Sequence, residues 1–167
     1  VVRIKEPKVE LYVVSLGGID GQVVRAAAVK LGVCVICEAA GERLIIGKLL
    51  VAGIKSEYPD FFVTAVGANS IATSAMLKAG ADAAATGENA VLVGCRRADV
   101  IAGPVGIVVA DSLLGEITPE MARAIGQSNA KRVLIPVNHC DNIVVGVGDI
   151  PMARLVQAAV KEIGKLS

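Results

Sequence analysis

Three stretches of this sequence set small and polar residues directly after short apolar runs, and each has the composition of a ligand-holding loop. They are Gly67-Ala68-Asn69-Ser70, Gly103-Pro104-Val105-Gly106 and Asn138-His139-Cys140-Asp141-Asn142. Glycine at such a position lets a backbone approach a ligand closely. Where a helix begins just after the loop, an anion can sit on the amides and hydroxyls at Asn69, Ser70 and Thr73. Gly and Asn also make ordinary turns, and for any one loop that is the competing explanation. Their recurrence after successive apolar runs is what favours the ligand reading. Thr86-Gly87-Glu88-Asn89 is the densest polar cluster in an otherwise apolar region. It reads either as hydrogen-bonding groups for a ligand, with Glu88 as a base or metal partner, or as a helix cap with a first-turn acid. His139, the only histidine, has a side chain that exchanges protons near neutral pH; a lone His without an identified partner is more often a solvated loop residue.

The cysteines carry less. Cys34-Val35-Ile36-Cys37 has the C-x-x-C spacing, but strand alternation sends the two thiols to opposite faces, so they cannot share a metal. No second pair completes a tetrahedral set, and no metal site is predicted. The four cysteines are scattered through apolar surroundings, as reduced core thiols are in a reducing compartment.

The elements that must position these loops follow from periodicity. Residues 61–66 are a strand ending at Gly67, and residues 69–78 have helical spacing, with Ile71, Ala75 and Met76 on one side. Thr86 is read as the cap of a helix starting at Glu88. Residues 99–102 are a strand stopped by Gly103-Pro104, and residues 106–114 fit either a strand or a buried helix. Thr118-Pro119-Glu120 is a helix start: a capping hydroxyl, Pro at the first helical position, then an acid. Residues 132–137 and 142–147 read as strands. A last helix, capped by Asp149, presents Met152, Leu155, Val156, Ala159, Val160 and Ile163 as one stripe. Upstream, Ile46, Leu49, Leu50 and Ile54 make a similar stripe closed by Pro59. About thirty residues with helical pattern separate the strands at 61, 99 and 132, which fits parallel strands joined by right-handed crossovers. Too few residues lie between 137 and 143 for a crossover, so that pair is predicted to be antiparallel. The expected architecture is a three-layer α/β domain, its mostly parallel sheet carrying an antiparallel edge hairpin. The strand-end loops would then share one rim, where ligands bind in such sheets.

Bulk properties narrow the function. The chain has 167 residues, 54% of them hydrophobic, which suits one domain and excludes a disordered chain. A net charge of +1 and four Phe and Tyr residues provide neither a basic field nor a stacking platform, so no nucleic-acid partner is expected. The apolar stretches at 61–77 and 100–110 are interrupted by polar residues or by Gly-Pro. Neither approaches the roughly 20 apolar residues of a spanning helix. With no signal-peptide core in residues 1–10, no membrane association is expected and cytoplasmic residence is the default.

Long runs closely resemble a bacterial family catalogued only as domain of unknown function 3842. They are G-A-N-S-I-A-T-S-A-M-L-K-A-G-A-D (67–82), A-T-G-E-N-A (85–90), G-P-V-G-I-V-V-A-D-S-L-L-G-E-I-T-P (103–119) and V-L-I-P-V-N (133–138). The resemblance implies a small Rossmann-like protein whose activity is unassigned. That family opens with a strand running into a glycine-rich loop of phosphate-binding type. Here Ile19-Asp20-Gly21-Gln22 matches the first half of the loop and Ile46-Gly47-Lys48 the second. A second register places residues 33–36 in the first strand and makes residues 38–43 the loop. Neither restores consecutive glycines, so residues 1–45 are read as an atypical or inserted region of a single domain, 1–167, and residues 46–167 as the family-like core.

The leading expectation is therefore a protein that binds a nucleotide, a dinucleotide or a phosphorylated metabolite. Its cleft would be lined by Gly21, Gln22, Gly67, Asn69, Ser70, Thr73, Thr86, Gly87, Asn89, Gly103, Pro104, Gly106 and Asn138. Asp20 or Glu88 is the carboxylate expected to contact ribose hydroxyls or move a proton. The alternative, of another class, is a non-catalytic homo-oligomeric regulatory or scaffolding protein whose small apolar residues pack subunits together.

Overall fold

The computed structural model describes residues 31–37, 43–137, 144–148 and 150–167. In chain order the elements are β1 (Gly32–Cys37), α1 (Arg43–Glu57), β2 (Phe62–Gly67), α2 (Ser70–Lys78), β3 (Ala83–Thr86) and α3 (Glu88–Arg97). They continue with β4 (Val100–Pro104), a short 3-10 turn (Val105–Val108), α4 (Pro119–Gln127), β5 (Lys131–Ile135) and α5 (Met152–Gly164). The five strands form one sheet in the order β3-β2-β1-β4-β5, and every adjacent pair is parallel.

The central strand β1 explains the layering. Its sequence, Gly-Val-Cys-Val-Ile-Cys, is a continuous apolar run because both faces are covered by helices. Val33, Val35 and Cys37 pack into one core with Ile46, Leu50 and Ile54 of α1, Ala72 and Met76 of α2, and Val156, Val160 and Ile163 of α5. Cys34 and Ile36 point the other way, into a core shared with Val91 and Cys95 of α3 and Met121 and Ile125 of α4. The two thiols of the C-x-x-C stretch therefore lie in different layers, as strand alternation requires.

Among the described residues every strand is parallel, and the predicted antiparallel edge hairpin is not found. β5 ends at Ile135 and pairs only with β4, in parallel. Of the second predicted strand, residues 142–143 lie outside the described residues, and 144–148 form a turn. The reason lies in the glycines. Gly146 sits at φ +90°, a conformation that turns the chain out of any strand, and it leaves Val145 exposed. The strand-like composition of that segment describes an exposed turn.

Other boundaries moved for local reasons. β3, Ala-Ala-Ala-Thr, was not predicted, because alanine has little strand preference; it survives as a four-residue edge strand hydrogen-bonded to β2. β4 continues through Gly103 and Pro104, which pair with Leu134 and Ile135. Residues 106–114 are neither strand nor long helix but the 3-10 turn followed by further turns. Helix α4 starts as predicted, with Pro119 in its first turn and the Thr118 hydroxyl accepting from the Met121 amide. The stripe predicted for α5 faces the first core in full. Pro151 stands at its N-cap, while Asp149 lies outside the described residues. No described helix is long and apolar enough to cross a membrane.

The order of the strands places the reversal between β1 and β4, and ligands in open α/β sheets bind outside the carboxyl ends near such a point. β1 ends at Cys37 and α1 begins at Arg43, and residues 38–42 between them lie outside the described residues. The strand agrees with the second of the two registers, which placed residues 33–36 in the first strand, but Arg43, which that register put in the loop, is the first residue of α1.

Candidate functional site

At the carboxyl end of β2 the chain turns into α2 under tight steric control. A Cβ on Gly67 would lie 2.3 Å from Thr73 Oγ1 and 2.6 Å from both Asn69 O and Thr73 N, so no larger residue fits. Asn69 then caps α2, its Oδ1 accepting from the amides of Ile71 (3.1 Å) and Ala72 (3.0 Å). Those two amides are consequently occupied, and an anion on them would have to displace the Asn69 side chain. Ser70 is exposed. The Thr73 hydroxyl donates to Asn69 O (3.0 Å) and lies 2.7 Å from the Thr86 hydroxyl at the end of β3.

β3 leads into α3 differently. Thr86 closes the strand, and Gly87 occupies the cap position at φ +93°. Having no side chain, Gly87 leaves the first α3 amides without a side-chain cap. Its own amide donates to Gly67 O (2.9 Å), tying the ends of β2 and β3. Glu88, in the first turn, accepts from the Thr118 hydroxyl at 2.5 Å. Since Thr118 also accepts from the Met121 amide (3.2 Å), one hydroxyl joins the amino ends of α3 and α4. Asn89 is exposed beside them.

The third loop is a strap over residues 109–117. Gly103, Pro104 and Gly106 are buried: Gly103 packs against β1, where a Cβ would lie 2.3 Å from Ile36 O, and the strap's Leu113 packs over Gly106. The strap holds itself by backbone bonds from Asp111 N to Ile117 O (2.9 Å) and from Ile117 N to Ser112 O (3.3 Å). The buried Ser112 hydroxyl donates to Gly106 O at 2.6 Å. Asp111, Leu113 and Leu114 all have left-handed φ angles (59°, 65° and 60°), which side chains with a Cβ adopt at a steric cost. The strap ends on Glu116, whose carboxylate accepts from Asn69 Nδ2 at 3.1 and 3.2 Å.

Asn69, Thr73, Thr86 and Glu88 are thus brought to one polar rim by contacts between loops far apart in sequence. Gly103, Pro104 and Gly106 lie beneath it as packing residues. Asp20, Gly21, Gln22, Asn138 and His139 lie outside the described residues. Sequence reasoning missed Glu116 entirely and read Thr118 only as a helix cap. The one local signal was an acid followed by a hydroxyl in Gly115-Glu116-Ile117-Thr118. Among the described residues neither Glu88 nor Glu116 has a cationic partner. Both carboxylates are held by neutral donors and keep acceptor capacity.

Elsewhere, two thiols are placed to be inert. Burial, reinforced by the nearby Cys95, pushes Cys34 up to about 12, and burial pushes Cys95 up to about 11; nucleophilic chemistry needs the thiolate. A groove of about 520 Å³ runs between the carboxyl ends of α3 and α4, bordered by Arg96, Arg123 and Asn129, at the end of the sheet away from the rim.

A family model described as a domain of unknown function (DUF3842) matches residues 32–167, opening on the first residue of β1. No curated protein matches the chain. Among solved structures, a dodecameric FMN-dependent UbiX-like decarboxylase from Escherichia coli O157:H7 is similar at 16% identity. The likeness covers 80% of this chain and 76% of that one, with a TM-score of 0.41.

Proposed function

The chain belongs to the family catalogued as domain of unknown function 3842, and from that premise we propose that it binds a nucleotide or a phosphorylated metabolite at the rim formed by the loops after β2, β3 and β4. The observation that carries this reading is the pair of carboxylates, Glu88 and Glu116, each fixed by a neutral donor from another loop. Carboxylates so oriented accept hydrogen bonds from sugar hydroxyls. The uncapped amino end of α3 supplies backbone donors and a positive dipole end for a phosphate group. Glu88 stands in the first turn of that same helix, so it is the group that would contact a ribose hydroxyl or accept a proton from one.

The test is a thermal-shift panel of AMP, ATP, NAD, ribose 5-phosphate and glycerol 3-phosphate. A ligand at about one hundred times its Kd adds roughly 2.7 kcal/mol. In a chain of this size that raises the melting temperature by about 5 °C or more. Glu88→Gln should weaken the effect of whichever compound gives it. A flat response to all five at millimolar concentration would remove the proposal.

A further inference from the structure

The strap is held shut against its own backbone preference. Asp111, Leu113 and Leu114 have φ angles of 59°, 65° and 60°, and Gly115 follows at 85°, so two adjacent leucines and the glycine after them turn the left-handed way. A Cβ makes that conformation costly, and such strain persists only where the surrounding contacts over-determine it. Here those contacts are few. From Ala110 to Glu116 only Ser112 and Leu113 are buried. Leu113 packs over Gly106, and the Ser112 hydroxyl donates to Gly106 O at 2.6 Å. Leu114 is fully exposed, so nothing it buries offsets its strain. The remaining side-chain fastener comes from another loop: Asn69 Nδ2 donates to the Glu116 carboxylate at 3.1 and 3.2 Å. Both ends of the segment are anchored, by the bond from Val109 N to Gly106 O (3.0 Å) and by the fully buried Ile117.

We propose that residues 110–116 are a strained gate over Gly106 at the carboxyl end of β4, latched by the Asn69–Glu116 contact. With the latch released, Asp111, Leu113 and Leu114 relax out of the left-handed region, which offsets the loss of the Leu113 and Ser112 contacts. The segment then swings between its anchors at Val109 and Ile117, uncovering Gly106 and freeing the Glu116 carboxylate. Its role in admitting a ligand to the rim rests on the ligand-binding reading given above; the motion itself does not.

The experiment is amide hydrogen exchange of the full chain, resolved by residue, in the native protein and in Glu116→Ala, Leu114→Gly and Leu114→Asn. The reporters are the amides of Asp111, Gly115 and Ile117, bonded to Ile117 O, Ser112 O and Ser112 O at 2.9, 3.2 and 3.3 Å; the amides of β1 are the reference. In the native chain the reporters should exchange about a hundredfold faster than β1 or more, at rates indifferent to low urea, because a local opening exposes little surface. Glu116→Ala leaves the α2 cap in place and should speed the reporters about fivefold to tenfold, the share of a charge-assisted bond at a half-exposed site, with β1 unchanged. Leu114→Gly and Leu114→Asn, which reach the left-handed region with less strain, should slow them about threefold or more. Reporters that exchange only at the β1 rate would overturn the gate. So would reporters indifferent to Glu116→Ala, or sped up by both Leu114 variants. No ligand is used, so any of these results leaves the rim reading standing, and a flat thermal-shift panel would remove that reading and leave the gate.

Discussion

Replacing Asn69 by aspartate separates two jobs that this side chain performs. Its Oδ1 caps α2, and its Nδ2 donates to Glu116. Aspartate caps about as well as asparagine, and a negative charge at a helix amino end is mildly favourable, so a cap-only role predicts no loss. In this structure the substitution instead sets a second carboxylate about 3 Å from the first. At an effective dielectric between those of the protein surface and water, two unit charges near 4 Å repel by about 1–4 kcal/mol. The pair is partly exposed, so we take the lower half of that range, about 1–2 kcal/mol. Asn69→Ala loses the cap, about 1 kcal/mol, and a fraction of the bond to the carboxylate. The two variants should therefore be destabilised alike at neutral pH, for different reasons. Only Asn69→Asp should recover in acid: protonating either carboxyl removes the repulsion, the folded form binds that proton more tightly than the unfolded form, and stability relative to the native chain rises as pH falls. Adding Glu116→Gln should also rescue Asn69→Asp. Urea denaturation at pH 7 and pH 4.5 measures all of this. If Asn69→Asp matches the native chain at pH 7 and its difference is flat with pH, the strap is not fastened to α2.

Two glycines should resist alanine for different reasons. Gly67→Ala drives a Cβ into backbone atoms at 2.6 Å and should cost about 2–3 kcal/mol, whereas Gly87→Ala meets nothing within 4 Å but must hold φ 93°, ψ 178°, a conformation all but reserved for glycine, and should cost about 1–3 kcal/mol of backbone strain, both read by denaturant midpoints. For the thiols, burial raises Cys34 to about 12 and Cys95 to about 11 from 9.0. Their contribution to stability is present below pH 9 and is lost as pH rises toward those values, because the unfolded chain releases the protons first. The fall in stability between pH 8 and pH 10 should be shallower in Cys34→Ala, and a thiol reagent at pH 8 should modify neither cysteine until the protein unfolds.

What could be read from the sequence depended on how local the cause was. α4 was legible because its cap, its proline and its first acid are adjacent residues, and α5 because its stripe repeats within one segment. β3 was not, since three alanines become a strand only by borrowing a partner in β2. The hairpin failed because the hydrophobic composition of 142–147 outweighed, in the reading, the one glycine, Gly146, that turns the chain. At the site, Asn69 and Glu88 were legible as residue types in the right places. Their partners were not, because Glu116 is 47 residues from Asn69 and Thr118 is 30 from Glu88, and nothing in a linear pattern encodes those distances. The strap was hidden most completely: leucines at left-handed φ run against every local preference, and only the tertiary bonds around them hold them there.

The two ends of the sheet differ in a way that decides where a phosphorylated ligand can go. The groove between α3 and α4 contains arginines, which at first favours it. Yet Arg123 is bound to Glu120 and Gln127, and that contact holds the Glu120 carboxyl below its ordinary range, so its charge is already answered. The Arg96 Nε–H is turned back onto Leu92 O. The groove is also ringed by helix carboxyl ends, whose dipoles oppose an anion. At the rim the dipoles are reversed. There α2 is capped by Asn69 and α4 by Thr118, but α3 begins at a glycine with no side chain to occupy its amides. Of the three helix amino ends that follow β2, β3 and β4, the one left without a side-chain cap stands beside a carboxylate fixed in place by its neighbour, which under the proposed binding would pair a seat for phosphate with an acceptor for a hydroxyl.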